Sequence, residues 1–195
     1  MLMLGAYGDG MSFFHLKGQL EAIFAGLRLK KVSYRAEKHN PSYHPGRCAS
    51  ISIDGVEIGV MGQVHPLVAK NYGIDAEVYC AELNFTKMLG LRLPDPTFTA
   101  LPKYPAVTRD LALICDEAVT VAQAEDVITA AAGKLLQGVK LFDIYRGVGV
   151  PEGKKSMAFS LELRADDRTL TDADSEGVTA KVLSALEEKL GATLR

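Results

Sequence analysis

His39, His44 and Cys48 come nearest to a metal-ligand set in this chain. Their spacing matches no standard zinc pattern, and no second pair of ligands stands close by. His44-Pro45-Gly46-Arg47 reads instead as a shaped loop that leads into a strand. Gly59-Val60-Met61-Gly62 lacks the Lys-Ser/Thr ending and the strand-to-helix setting of a phosphate-binding loop. Its glycines are expected to permit a bulge or a close backbone approach inside a strand. No Ser, His and Asp fall at a spacing that assembles a nucleophile, a base and its orienting group. The acid pairs Asp166-Asp167 and Glu187-Glu188 are expected to be solvated. A stand-alone enzyme would need convergent titratable groups, and the sequence offers none.

The clearest organisation lies in the second half. Leu111, Leu113 and Cys115 alternate along one strand with at least one buried face. Val121, Ala124, Ile128, Ala131 and Leu135 recur at steps of three and four, with Thr120 as helix cap and Gly138 as helix end. Val139 to Arg146 reads as a second strand. A turn region with Gly147, Gly149, Pro151 and Gly153 follows. Along Lys155 to Arg164, Met157, Phe159, Leu161 and Leu163 point one way and Ser156, Ala158, Ser160 and Glu162 the other. Thr171 with Asp174 makes a capping box for a helix whose buried stripe is Val178, Val182, Ala185, Leu186 and Leu190. Gly191 ends it, and Ala192 to Leu194 can add a short last strand. The order strand, helix, strand, strand, helix, strand is the ferredoxin-like pattern, with two helices on one sheet face and the other face open. Lys155-Ser156-Met157-Ala158-Phe159-Ser160 does not match the aromatic string of an RNA-recognition motif.

The first half is less complete. Ser12 can cap a helix carrying Leu16, Leu20, Ile23, Phe24 and Leu27, and Gly18 within it suggests a close packing neighbour. Strands are expected over Lys31–Ala36, Cys48–Ile53, Val56–Val64 and Glu77–Leu83, with Asp54-Gly55 turning one hairpin. His39–Gly46 is expected to be a loop. Pro66 starts a short helix to Tyr72, and Asn84 caps another through Met88 and Leu89. Four of the eight prolines (Pro94, Pro96, Pro102 and Pro105) fall between Leu93 and Pro105, a stiff and extended joint.

Composition sets the outer limits. With 48% hydrophobic and 24% charged residues, the chain can fill a core. No apolar run approaches the roughly 20 residues of a membrane span. Cys48, Cys80 and Cys115 are odd in number and far apart, which points to reduced thiols in a cytoplasmic protein. Residues 1–98 carry 10 Lys+Arg against 9 Asp+Glu, and residues 99–195 carry 12 against 15. The acids of the second half gather on its helices and the bases on its lead-in, strands and loops.

The strings Pro102-Lys103-Tyr104-Pro105, Arg109-Asp110-Leu111-Ala112-Leu113, Phe142-Asp143-Ile144-Tyr145-Arg146-Gly147, Gly153-Lys154-Lys155-Ser156, Arg168-Thr169-Leu170-Thr171 and Leu194-Arg195 closely resemble the C-terminal anticodon-binding domain of the phenylalanyl-tRNA synthetase beta chain. Phe13-Phe14-His15-Leu16-Lys17-Gly18, His44-Pro45-Gly46-Arg47 and Gly59-Val60-Met61-Gly62-Gln63-Val64-His65-Pro66 resemble the end of its catalytic-like domain. The resemblance implies an α+β chain with three parts. Residues 1–93 are a partial, inactive class II synthetase-like mixed α/β domain, 94–101 a proline-rich linker, and 102–195 a ferredoxin-like βαββαβ anticodon-binding domain. Bacterial beta chains are several times longer, so the sequence is expected to be a C-terminal piece, and whether Met1 is a natural start stays open.

The same resemblance implies a holoenzyme of two alpha and two beta chains that joins phenylalanine to tRNA-Phe with ATP and Mg²⁺. This piece alone is expected to be inactive and to hold no cofactor or metal. Tyr145, Arg146, Lys154, Lys155 and Arg168 become candidates for tRNA contact. Tyr145 shares strand parity with Asp143 and Leu141, and on the open face it can stack on an unpaired base. The alternative is that Phe142 and Tyr145 pack the core and the bases are ordinary surface. His44, Arg47, His65, Lys103 and Tyr104 are candidates for subunit or domain interfaces. Arg109 and Asp110 are open to pairing with each other to fix the first strand. A non-catalytic ferredoxin-like interaction or regulatory module remains the other reading, because the half in question is acidic.

Overall fold

The computed structural model describes residues 1–98 and 100–195. They form two compact units, Met1–Thr97 and Phe98–Arg195. Among the described residues no helix is long and apolar enough to cross a membrane.

The first unit is one five-stranded sheet with its strands in the order β1 (Leu2–Tyr7), β5 (Val78–Leu83), β4 (Val56–Val64), β3 (Tyr43–Ile53), β2 (Val32–Ala36). Helix α1 (Phe13–Gly26) lies on one face, and Leu16, Leu20 and Phe24 pack against Ile51, Met61, Ala81 and Leu83. The Ser12 hydroxyl caps that helix by accepting from the His15 N–H. Two short helices, α2 (Pro66–Asn71) and α3 (Phe85–Gly90), follow β4 and β5.

Every described pairing in this sheet is antiparallel. Two differences from the sequence reading have physical causes. The strand β1 goes unannounced in the sequence, and it gains its place by pairing with β5 from Leu2↔Leu83 to Tyr7↔Val78. His44 to Arg47 belongs to β3 despite Pro45 and Gly46, because a register shift between Tyr43 and Cys48 absorbs the extra residues as a bulge.

The glycines of β4 behave as expected for a close approach. A Cβ on Gly59 would sit 1.9 Å from the Glu82 carbonyl oxygen, and one on Gly62 would sit 2.7 Å from that of Arg47. Gly18 does not: nothing lies within 4 Å of the position its Cβ would take.

The second unit has the order β6 (Val107–Asp116), α4 (Val121–Ala132), β7 (Leu136–Tyr145), β8 (Lys154–Leu163), α5 (Asp172–Leu190), β9 (Thr193–Leu194). The sheet runs β7-β8-β6-β9, all antiparallel, which is the ferredoxin-like arrangement. Leu111, Leu113 and Cys115 of β6 and Met157, Phe159, Leu161 and Leu163 of β8 face the two helices and meet Ile128, Val178, Val182 and Leu186. Capping boxes start both helices, Thr120 with Gln123 and Thr171 with Asp174. Helix α4 ends at Gly133 rather than Gly138, and Gly133–Leu135 forms a 3₁₀ turn into β7.

Candidate nucleic-acid interface

Residues paired across adjacent antiparallel strands share a face, so the register of the second unit defines its open side. One row is Tyr145, Ser156, Ile114 and Thr193; the next is Asp143, Ala158 and Ala112; a third is Lys140, Ser160 and Asp110. A β-bulge between Leu141 and Asp143 produces this arrangement. Before it, Leu141 pairs with Phe159 and faces the helices; after it, Asp143 and Tyr145 face outward. The expected shared parity of Leu141 with Tyr145 is therefore corrected by one inserted residue, Phe142, which is 56% exposed. The face has small side chains at its centre and an aromatic ring at one end. It is thus a shallow surface rather than a cavity.

Tyr145 is held in place by its own loop. Its hydroxyl donates to the Val148 carbonyl at 3.4 Å. Gly147 lies against it, and a Cβ there would be 2.7 Å from the Tyr145 Oη. From the other edge of the sheet, the Arg195 guanidinium reaches over the ring, with its Cζ 5.1 Å from the centroid. The Arg195 N–H donates to the Ala112 carbonyl at 2.8 Å, which anchors that residue beside β6. Among the described residues neither Arg195 nor Lys140 is ion-paired with a carboxylate.

Arg146, Lys155, Lys154, Arg168 and Arg109 are each committed to a partner within the unit. Arg146 forms a forked pair with Glu117, its Nε 3.0 and 3.2 Å from the two oxygens. That hydrogen bond holds the Glu117 carboxyl below its usual range and raises Arg146. Lys155 is only 7% exposed, and its Nζ donates to the Glu117 carbonyl at 2.9 Å. Lys154 lies 3.5 Å from Asp116. Together these contacts tie the end of β6 to the start of β8 and fix the loop that carries Gly147 and Val148. Arg168 pairs with Asp174 at 2.7 Å beside the start of α5. The strand β8 runs from Ser156, opposite Tyr145, to Leu163, a span of about 23 Å at 3.3 Å per residue, before the chain reaches Arg168. Arg109 does not pair with Asp110; it binds the Ser175 hydroxyl at 2.9 Å and Asp172 at 2.8 Å, joining β6 to α5.

Of the five residues singled out for RNA contact, the structure therefore brings Tyr145, Arg146 and Lys154 to one end of the sheet, buries Lys155 and leaves Arg168 at the far end. Arg195, Lys140, Asp143 and Ser156 join Tyr145 on the open side without having been singled out. Cross-strand register is the signal that groups them, and the bulge hides it from simple alternation.

In the first unit His44 and His65 stack with ring centroids 6.5 Å apart. Each Nδ1 accepts a backbone N–H, from Gly46 at 3.0 Å and from Leu67 at 3.2 Å. Arg47 is held by Gln63 at 2.8 Å and Glu77 at 3.1 Å, and Glu77 is drawn down by the Tyr79 hydroxyl and Arg47. Lys103 is exposed and Tyr104 half-buried in the segment before β6. Among the described residues no group of three or more His, Cys, Asp or Glu converges as a metal set.

Comparison with known proteins bears on both units. Residues 2–85 match the family model "Phenylalanyl tRNA synthetase beta chain CLM domain", and residues 102–195 match "Ferredoxin-fold anticodon binding domain". The chain is 43% identical over 194 residues to a phenylalanine–tRNA ligase beta subunit of Clostridium tetani, covering 100% of the chain and 24% of that protein. It is 42% identical over 185 residues to the same subunit of Bacillus licheniformis, covering 95% and 23%. For that of Pseudomonas fluorescens it is 41% identical over 189 residues, covering 96% and 23%. The chain thus spans about a quarter of the length of the curated relatives it matches.

Proposed function

The chain belongs to the phenylalanyl-tRNA synthetase beta-chain family, and on that premise we propose that its second unit holds the anticodon region of tRNA-Phe while its first unit is scaffold for the alpha chain. The observation that carries the RNA reading is the open sheet face. Tyr145 offers a fixed ring for base stacking, Lys140 and Arg195 offer cations that have no carboxylate partner among the described residues, and Asp143 offers a polar edge beside the ring. Arg146 and Lys154 stand at the rim. They can reach a phosphate only in competition with Glu117 and Asp116.

In this reading the chain supports ATP-dependent attachment of phenylalanine in a cytoplasmic holoenzyme of two alpha and two beta chains. ATP and Mg²⁺ act in that holoenzyme, and no catalytic step is assigned to this chain. His44, Arg47 and His65 remain proposed for the contact with the alpha chain, and Lys103 and Tyr104 for the joint between the units.

The test is a titration of tRNA-Phe against the chain at low and moderate salt, with a non-cognate tRNA alongside. Saturable binding that weakens with salt is expected. Lys140→Glu should weaken it and lower the salt slope by about one ion, as expected for loss of one phosphate contact. Equal binding of both tRNAs, or no effect of Tyr145→Ala, would count against the reading.

A further inference from the structure

We propose that His44 and His65 together form a docking point for one carboxylate of the alpha chain, held by their two Nε2–H groups. The proposal rests on the scaffold reading above and goes beyond it by naming the partner chemistry and the atoms that meet it. Both histidines stand in the same local setting, a His-Pro step, at His44-Pro45-Gly46 and His65-Pro66-Leu67. Proline has no N–H, so the first backbone donor after each histidine is the amide two residues on. That amide folds back onto the ring in both cases. The Gly46 N–H donates to Nδ1 of His44 at 3.0 Å, and the Leu67 N–H donates to Nδ1 of His65 at 3.2 Å. A backbone N–H can only donate, so each Nδ1 is an acceptor, and in the neutral ring the proton sits on Nε2. The turn thus fixes the tautomer of each ring as well as its position.

The sheet then brings the two turns side by side. Tyr43 pairs with Val64, and the His65 N–H donates to the Ser42 carbonyl at 2.9 Å. The rings stack with centroids 6.5 Å apart and planes 27° from parallel. Both are half-buried, and neither Nε2 has an acceptor among the described residues. The pair therefore presents donors, and its ligand must be an acceptor. Two hydrogen bonds of about 2.9 Å span about 5.8 Å, close to the ring separation, so one two-oxygen group reaches both donors. A single carboxylate suits them better than a phosphate, because the neighbouring guanidinium of Arg47 is already held by Gln63 and Glu77. A carboxylate that leaves water at a subunit contact needs such donors to stay charged.

The experiment measures the affinity of the alpha chain for the chain and for His44→Asn, His65→Asn, His44→Gln and His65→Gln. Asparagine keeps an acceptor near the Nδ1 position and makes the same turn to the amide two residues on, but it has nothing at Nε2. Glutamine does the reverse: its amide reaches the Nε2 position and gives up the turn. Each Asn variant should keep its melting temperature within about 3 °C of the parent. It should lose about tenfold or more in affinity, the worth of one hydrogen bond to a charged group. Each Gln variant should recover most of that affinity while melting lower than its Asn counterpart. Acidic residues of the alpha chain are then changed to amides one at a time. One of them should lose affinity to a similar degree, and His65→Asn should add little on top of that change. Full affinity in both Asn variants, no recovery with Gln, or no alpha-chain acid coupled to His65 would overturn the docking point while leaving the scaffold reading intact. Weaker tRNA-Phe binding by the Asn variants with alpha-chain affinity unchanged would overturn it in favour of a phosphate. If the unaltered chain fails to bind the alpha chain, the scaffold reading falls and the docking point falls with it.

Discussion

Two glycines of the first unit should respond to alanine with opposite signs. At Gly59 the added Cβ would lie 1.9 Å from the Glu82 carbonyl oxygen and 3.0 Å from the Leu83 Cα. Ordinary carbon–oxygen contact begins near about 3.3 Å, so β4 and β5 must part by more than about 1 Å. Both strands lie inside the sheet, with β3 beyond β4 and β1 beyond β5, so neither can move alone. Overpacking of this kind costs about 3 kcal/mol at the upper end of its usual range. Relief of glycine's unfolded-state entropy returns about 1 kcal/mol, leaving a net loss near 2 kcal/mol. For a unit of this size that lowers Tm by about 8–16 °C. Gly18 lies in the exposed middle of α1 with nothing within 4 Å of its Cβ position. Gly18→Ala should therefore gain about 1 kcal/mol and raise Tm by about 4–8 °C. Calorimetry of the intact chain reads both, since the transition of the second unit serves as an internal standard. A Gly59→Ala unit that melts within about 3 °C of the parent, well inside the shift expected for 1 kcal/mol, would refute the close-approach argument.

Arg109→Met should cost the second unit about 1 kcal/mol, because it removes charged hydrogen bonds to Ser175 and Asp172 from a side chain that is one-third exposed. Urea melts measure it, and RNA affinity should stay within about twofold because Arg109 faces the helices. The Asp174 carboxyl is held below its ordinary 3.8 by the Thr171 backbone N–H, then by the Thr171 hydroxyl and Arg168. A depressed acid contributes stability that is full above 3.8 and lost as pH falls through the folded value, so Asp174→Asn should destabilise at neutral pH and converge with the parent in strong acid. A constant difference across that range, read by melts from pH 7 to pH 2, would contradict it. Burial raises the Cys115 thiol and pushes that of Cys48 up to about 11. Burial raises the Cys80 thiol as well, so the order of reaction follows exposure: at neutral pH iodoacetamide should reach the half-buried Cys80 first and the buried Cys48 and Cys115 only on unfolding.

Elements with a strong period were legible in the sequence. Met157, Phe159, Leu161 and Leu163 alternate without interruption and all four are buried. The Thr171–Asp174 box names the start of α5 because the cap is a local interaction. What failed depends on partners far along the chain. Leu2–Tyr7 has Gly5 in its middle and becomes a strand only against β5. Pro45 and Gly46 read as breakers, yet a bulge carries them within β3. The candidate site was half legible. Tyr145 was marked by type and parity, although Phe142 shifts that parity by one residue. The availability of the cations was not, since Arg146 meets Glu117 across 29 positions and Lys155 meets the same residue's carbonyl across 38. Arg195 reaches the site through the pairing of β9 with β6, which no local pattern encodes.

The most direct test is to titrate the isotope-labelled chain with the anticodon stem-loop of tRNA-Phe and follow every backbone amide by NMR. Perturbations should concentrate on Lys140 to Gly149, on Ala112 to Ile114, on Ser156 to Ala158 and on Thr193 to Arg195, the open face and its loop. Shifts confined to α4 and α5, or to the first unit, would contradict an RNA site on that face.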